Sequence, residues 1–428
     1  MSTHAQSSST PTHSKKAVFA TVLGNGLEWF DFTVYSFFSV IIAKVFFPTE
    51  SEVVSYLIAL ATFGVGFFMR PVGGIMIGIY ADKVGRKAAL TLTIVSMAAG
   101  TLIIGLTPGY ASIGIAAPIL IVFARLLQGF SAGGEMGSAT AFLTEHAPPH
   151  KKTYYSSWIQ ASIGLAVLFG AGMGTLMSTI LTEESLYSWG WRVPFLVGGC
   201  LIGPVAYYIR RQLHETPVFE NAEKTDAPLK EVYRNYPRET LTSFSMIILW
   251  TICTYVLLFY MPAYASRVLE LPTWMGFSAG MVGGLVIFLV APMVGYYADI
   301  IGKKPFLLGS STLIFILAYP LFALINFYPN FMSLVIFQVV FGVLIAGYTG
   351  PILSAFTDLF PAKVLSTGLS VAYNFAVAIF GGFAAFNITW LISATGSNMA
   401  PAFYVMIAAM ISIYGCYLFQ DKIHHKAP

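Results

Sequence analysis

Charge is what this sequence has least of. Only 10% of its 428 residues are Asp, Glu, Lys or Arg, against about 25% in an ordinary soluble domain. With 57% hydrophobic residues and a mean hydropathy of +0.74, that shortfall excludes a water-soluble globule and places the chain in a bilayer. Cysteine is scarce too. Cys200, Cys253 and Cys416 stand singly in three apolar stretches, so neither a disulfide framework nor a zinc site is suggested. Histidine is missing from every apolar stretch: His4, His13, His146, His150, His214, His424 and His425 all fall in tails or loops. Proton chemistry inside the membrane therefore falls to carboxylates. No metal site, no cofactor and no nucleophile/base constellation is expected, which argues against an enzyme.

What is present is a series of long apolar runs. A spanning helix needs about 20 mostly apolar residues, and twelve runs qualify: 17–46, 53–80, 88–107, 115–143, 153–181, 191–210, 240–265, 274–298, 305–326, 331–357, 366–394 and 401–419. Continuous stretches such as "AALTLTIVSMAAGTLIIGL" lack the alternation of a transmembrane β-strand. The expected organisation is a disordered cytosolic tail (1–16), a six-helix bundle (17–210), a cytosolic linker (211–239), a second six-helix bundle (240–419) and a short cytosolic tail (420–428). If the N-terminus is cytosolic, the inner side collects nearly all the lysine and arginine, leaving Lys44, Arg192 and Arg267 outside. That asymmetry is the positive-inside pattern, with both termini inside. The formal charge of +4 thus reports topology and implies no nucleic-acid partner.

The two halves repeat each other. "GIYADKVGRK" from Gly78 recurs as "GYYADIIGKK" from Gly295, 217 positions on, in corresponding loops of two sets of six helices. This duplicated G-x-x-x-D-x-x-G-[RK]-K loop resembles the signature of the major facilitator superfamily. "GNGLEWFDF", "FMRPVGG", "ARLLQGFSAGGE", "SSWIQAS", "WGWRVPFL" and "VAYNFAVAIFGGF" resemble more specifically its metabolite:proton symporter branch, whose members carry citrate, tricarballylate, 2-oxoglutarate, shikimate, proline and betaine. The resemblance runs along nearly the whole chain and does not select a substrate. It implies an all-α fold of twelve transmembrane helices in two pseudo-symmetric halves working by alternating access. One departure is visible: "FPAKVLSTG" places Leu365 where the branch has Arg before helix 11, which implies a looser inner gate in the second half.

Independently of the family, ionisable residues at membrane depth are costly and mark functional sites. They are Glu28 and Asp31 in the first run, Arg70 in the second, and Arg125 and Glu135 in the fourth; the second half has none at comparable depth. At about 1.5 Å per residue, Glu28 and Asp31 lie roughly 16 to 21 Å from the inner end of their helix, Arg70 about 18 Å from Asp82, and Arg125 about 15 Å from the outer end of its own. All converge near mid-depth. Glu28 and Asp31, three apart, share a helix face, and Arg125, Gln128, Ala132 and Glu135 fall within an arc of about 80°. Asp31 with Arg125, or Glu28 with Arg70, could be static pairs fastening helices together. As transport groups, three carboxylates against two arginines would leave the site one charge negative, so proton uptake would be linked to anion uptake. Asp31, Glu28 and Glu135 are the expected proton-coupling groups. Asp31 leads them because related sugar porters pair an acid at this place with the helix-4 arginine, and Glu135 is placed to release the proton inward.

Substrate contacts are expected from Arg125 and Arg70, whose planar forks match a carboxylate, with Gln128, Trp158, Gln160, Tyr373 and Asn374 beside them. Tyr255, Tyr264, Tyr348 and Thr349 are neutral polar candidates or interhelical glue. Asp82, Arg86, Glu145, Asp299, Lys303 and Asp358 are expected to form a latch on the inner face. A drug/proton antiporter is disfavoured because the fifth run, "GLAVLFGAGMGTL", lacks the proline of the antiporter pattern. Osmosensing betaine porters carry a long C-terminal coiled coil, whereas this chain stops nine residues after Phe419. The expectation is a proton symporter in a bacterial inner membrane for a small organic acid, citrate or a related tri- or dicarboxylate foremost. A zwitterionic osmolyte such as proline or betaine is the alternative. Its partners are the substrate, protons and membrane lipid, with no obligate protein partner.

Overall fold

The computed structural model describes residues 11–84, 86–211, 228–360 and 362–421. Side chains are described outside 11–21, 78–90, 361–367 and some single positions, Glu145 among them. Helix follows helix: α1 (Pro11–Phe37), α2 (Ser39–Phe46), α3 (Glu52–Val84), α4 (Arg86–Leu106), α5 (Ala116–Gly133), α6 (Glu135–His146), α7 (Lys152–Ile180), α8 (Val193–Val197) and α9 (Gly203–Arg211) form the first half. After α10 (Pro228–Asn235), the second half comprises α11 (Pro237–Cys253), α12 (Met261–Arg267), α13 (Thr273–Ile301), α14 (Lys304–Phe327), α15 (Phe331–Leu359), α16 (Ala362–Ala376), α17 (Ala384–Thr395) and α18 (Ala400–Leu418). Most of the expected linker, 212–227, and the loop side chains of Asp82 and Arg86 lie outside the described residues.

Ten helices among the described residues are long and apolar enough to cross a membrane, and the pair α1 and α2, bent by 64°, makes an eleventh. The remaining expected span coincides with the shorter apolar stretch Thr91–Leu106 within α4. Several runs read as single helices are interrupted. The first bends at Phe38, the fourth breaks at Gly134 between α5 and α6, and π-helical turns occupy Gly198–Ile202, Thr254–Tyr260 and Val377–Gly381. Such π-turns concentrate at functional sites because they rotate the helix face without breaking the backbone ladder. Large apolar side chains such as Phe68, Leu289 and Tyr417 stay exposed on the outside, as a lipid-facing surface requires.

With lipid outside, helices associate through small residues that let backbones touch. Gly164 of α7 and Gly284 of α13 do this between the halves: a Cβ on either would sit 2.6 Å from the other's carbonyl oxygen. Within the first half, Gly129 and Gly133 of α5 press against the backbone of Gly66 and Arg70 of α3, leaving no room for a side chain. That contact fixes where two cations stand.

Candidate functional site

Because α3 and α5 meet backbone to backbone, Arg70 and Arg125 are forced into one interior layer, and both side chains are fully buried. Three side chains close a ring with the second arginine. Arg125 Nη1 donates to Gln128 Oε1 at 2.7 Å and to Asp31 Oδ2 at 3.5 Å. Gln128 Nε2 donates to the Thr101 hydroxyl at 3.1 Å, and that hydroxyl donates to Asp31 Oδ1 at 2.6 Å. Arg70 Nη2 holds Glu28 Oε1 at 3.1 Å. The two arginines are therefore each tied to one acid of α1, which stand one turn apart on the same face.

A third pair corrects the charge sum. Arg210, which the sequence reading counts among the inner-loop cations, is buried at the end of α9 and bonds both carboxylate oxygens of Glu135, with Thr93 beside it. Three arginines thus face three carboxylates. Fully ionised, the set is neutral, so a bound anion meets no net repulsion before a proton arrives; what it must do instead is compete for an arginine already engaged. The signal for Arg210 was its place as the last residue of an apolar run, where a long side chain can reach back inward.

Rings surround the cations. The Arg125 guanidinium lies 4.9, 4.6 and 4.8 Å from the Phe32, Tyr35 and Phe63 centroids. Arg70 lies 5.3 Å from Phe67 and 5.7 Å from both Phe32 and Tyr373. Each such contact offsets about 0.5 to 2 kcal/mol of the burial cost. The offset is incomplete. Among the described residues, Nε and Nη1 of Arg70, Nε and Nη2 of Arg125, Nε1 of Trp29 and Nε2 of Gln160 are buried with no hydrogen-bond partner. Buried donors without partners are expensive, and these all call for an acceptor.

The other expected contacts divide. Tyr373 stacks at 5.1 Å on Trp250 and faces Arg70; Asn374 Nδ2 donates to the Gly133 carbonyl of the opposite half at 3.3 Å, while its Oδ1 meets no partner. Trp158 instead packs against Tyr154 and Phe288 at the contact of α7 with α13. Tyr264 bonds Asn326 and the Asn398 carbonyl, and Tyr348 bonds the Met246 carbonyl, so both serve as interhelical glue. Tyr255, on the π-turn after α11, stacks near Trp29 and Phe67, and the Thr349 hydroxyl is buried without a partner.

At the end bearing the repeated loop, Asp299 accepts from the backbone N–H groups of Thr153 at 3.0 Å and Tyr154 at 2.9 Å, so an acid of the second half caps α7 of the first. Free N–H groups at a helix start favour an anion. Thr153 and Ser354 join the halves nearby at 3.0 Å. Lys303 is not on a solvated rim: it is buried, 2.6 Å from Asp358 and 3.2 Å from Asp421, an acid that the sequence reading passed over as tail. Asp82, Arg86 and Glu145 lie outside the described side chains. At the opposite end the halves meet again, where Ser36 donates to the Phe259 carbonyl at 3.1 Å and Arg267 covers the Tyr56 ring at 4.3 Å. The arginine layer is enclosed between these two sets of contacts.

A charged layer between two six-helix halves, with a duplicated loop, is what comparison with known proteins can decide. The profile of the Major Facilitator Superfamily matches residues 21–386. The chain belongs to that superfamily. It is 36% identical over 412 residues to a citrate-proton symporter of Salmonella typhi, covering 94% of each chain. It is also 36% identical over 413 residues to a proline/betaine transporter of Escherichia coli K12, covering 93% of this chain and 82% of that one. The fold matches the partially occluded, inward-open xylose transporter XylE of E. coli with a TM-score of 0.79 at 14% identity, over 97% of this chain and 100% of that one. This superfamily chain is a multi-pass membrane transporter and not an enzyme.

Proposed function

We propose that the chain is a proton-coupled symporter that imports a small organic acid, citrate or a related tri- or dicarboxylate, across a bacterial inner membrane with the repeated-loop end in the cytosol. The observation that carries this is the pair of fully buried arginines, each of which keeps N–H groups without an acceptor of standard hydrogen-bond geometry among the described residues. A substrate carboxylate supplies the acceptors they lack, in the planar geometry an arginine fork prefers.

Coupling follows from competition. Arg125 serves Asp31 or a substrate carboxylate, and protonating Asp31 releases Arg125 for the substrate. The bound proton and bound anion then raise each other's affinity. Arg70 and Glu28 repeat this arrangement one turn away. Gln128, Gln160, Tyr373 and Asn374 supply neutral hydrogen bonds; Trp158, facing α13, serves the helix contact on which the halves rock. Asp299, Lys303 and Asp358, with Asp82, Arg86 and Glu145 of the first half, hold the inner side shut.

A second reading has its own support. A zwitterion with a trimethylammonium head would place its carboxylate on the same arginines and its cation among the rings of Trp29, Tyr255 and Phe259, which lie 5.8, 5.8 and 5.5 Å from one another. Uptake of labelled citrate, tricarballylate, 2-oxoglutarate, proline and glycine betaine into proteoliposomes separates the two. Accumulation that follows an imposed inward proton gradient and ignores sodium supports symport; sodium-dependent uptake at fixed pH overturns it.

A further inference from the structure

A small cavity adjoins the arginine layer, reaching Glu28 and Thr101 as well as Glu135. It holds about 30 Å³ of space for water centres, room for one or two waters. Every residue lining it belongs to the first half. Glu28 and Glu135 both open onto it, and Thr93, Met97 and Thr101 line it along one face of α4 at four-residue spacing, over about 12 Å of helix rise. One end of the slot is Thr101, whose hydroxyl holds Asp31; the other is Thr93, which bonds Glu135 and Arg210. Gly24, one turn from Glu28 on the same face, leaves the space that the Arg210 guanidinium fills. The break at Gly134 starts α6 at Glu135, which sets this carboxylate where the backbone of the fourth run turns.

We propose that the proton crosses the first half by a route of its own, from Asp31 to Glu28 and through waters in this cavity to Glu135, while the substrate passes between the halves. This rests on the reading of the chain as a proton symporter. The step balances simply. Protonated Glu28 gives its proton to a cavity water and regains Arg70 as partner; that water passes a proton to the Glu135 carboxylate; Glu135 releases it to the cytosol and returns to Arg210. No electron pair leaves any carboxyl group. Charged groups facing the two acids are Arg70 on α3, Asp31 on α1 and Arg210 on α9, with Glu28 and Glu135 facing each other. Arg210 is a positioning residue: it bonds both carboxylate oxygens of Glu135 and fixes them at the end of the cavity. Separate routes let the arginine layer close around a substrate without cutting the proton path.

The test uses the full chain in proteoliposomes, with labelled citrate and glycine betaine run in parallel. Proton-driven accumulation in Glu135→Gln should fall about a hundredfold, the scale of losing one proton-transfer group, while substrate exchange falls far less. Unimpaired accumulation overturns the route. If Arg210 without the Glu135 charge prevents folding, the double variant Glu135→Gln/Arg210→Gln removes both charges. Persistent loss of accumulation with exchange supports the relay, and restored accumulation shows Glu135 to be only a structural partner. Infrared pH-difference spectra without substrate give an independent reading: Glu135→Gln should remove one protonated-carboxyl band, and an unchanged spectrum overturns the relay. An unaltered chain that accumulates neither compound under a proton gradient fails the symport reading, while the infrared result still decides whether Glu135 takes a proton.

Discussion

The first half carries the membrane-buried charge; the second carries rings, hydroxyls and amides at the same depth. Asp31, Glu28 and Glu135 with their three arginines all stand before residue 211, whereas Thr251, Tyr255, Thr349, Tyr373 and Asn374 line the other side without a charge among them. The charged pair of the second half, Lys303 and Asp358, sits at its loop end. Two of the three π-turns fall in the second half, both beside the layer, where Gly381 packs against Tyr255. In the proposed symport a repeated fold has unequal work: one half would titrate, and the other would offer a neutral, adjustable wall.

The comparison breaks most sharply at Asp31. Asp31→Asn keeps the side-chain shape, mimics the protonated acid and removes the competitor for Arg125. Uphill accumulation should disappear, the ratio falling to about one, because substrate affinity no longer depends on a proton. Exchange should persist at a reduced rate, and binding should lose its pH dependence. If Asp31→Asn accumulates substrate as before, the titrating group is elsewhere and the asymmetry between halves has been misread.

Arg125→Lys should have the next largest effect. An ammonium cannot fill the fork that reaches Gln128 and Asp31 while facing three rings, so substrate binding should weaken by about 1.5 to 3 kcal/mol, the range for hydrogen bonds to charged groups. Calorimetric titration checks it. An unchanged affinity would mean that the substrate lies against the second half alone.

The latch gives a smaller change of a different kind. Asp299→Asn keeps one acceptor for the start of α7 but loses the charge, at a cost of about 1 kcal/mol. That shifts the balance of inward- and outward-facing states about fivefold. Alkylation of a cysteine placed at Ser354 should speed up accordingly, with affinity altered only a few-fold. Because the loop is duplicated, Asp82→Asn should impair translocation in the same way; loss of binding with normal exchange would contradict both.

How much of this was legible in the sequence follows from range. Composition, run length and the repeated loop depend on local sequence, and they announced a membrane transporter of two six-helix halves. The pairs Asp31 with Arg125 and Glu28 with Arg70 were also readable, since rise per residue puts all four at one depth. Arg210 was not, because a basic residue at a helix end reads as topology, whatever buried acid its side chain reaches back to. Thr101 was hidden for a related reason. A threonine in an apolar run looks like packing until a third helix brings Asp31 to its hydroxyl. Breaks such as Gly134 and the π-turns escaped too, since hydropathy sees a continuous run where the backbone turns.

The smallest effect sharpens the comparison from the neutral side. Tyr373 keeps its ring against Arg70 and Trp250 whether or not it has a hydroxyl. Tyr373→Phe therefore removes one neutral hydrogen-bonding group and should weaken substrate binding by about 0.5 to 1.5 kcal/mol. Tyr373→Leu, which also removes the ring, should add the lost cation–π contact, about 0.5 to 2 kcal/mol more. Tyr373→Phe should cost less than Tyr373→Leu, whose two losses together reach the range expected for Arg125→Lys. Binding measured for all three against the same labelled substrate gives the answer. A Phe variant as weak as Arg125→Lys would mean that the second half holds the substrate by a bond as strong as a charged one, and the division into a titrating half and a neutral wall would fail.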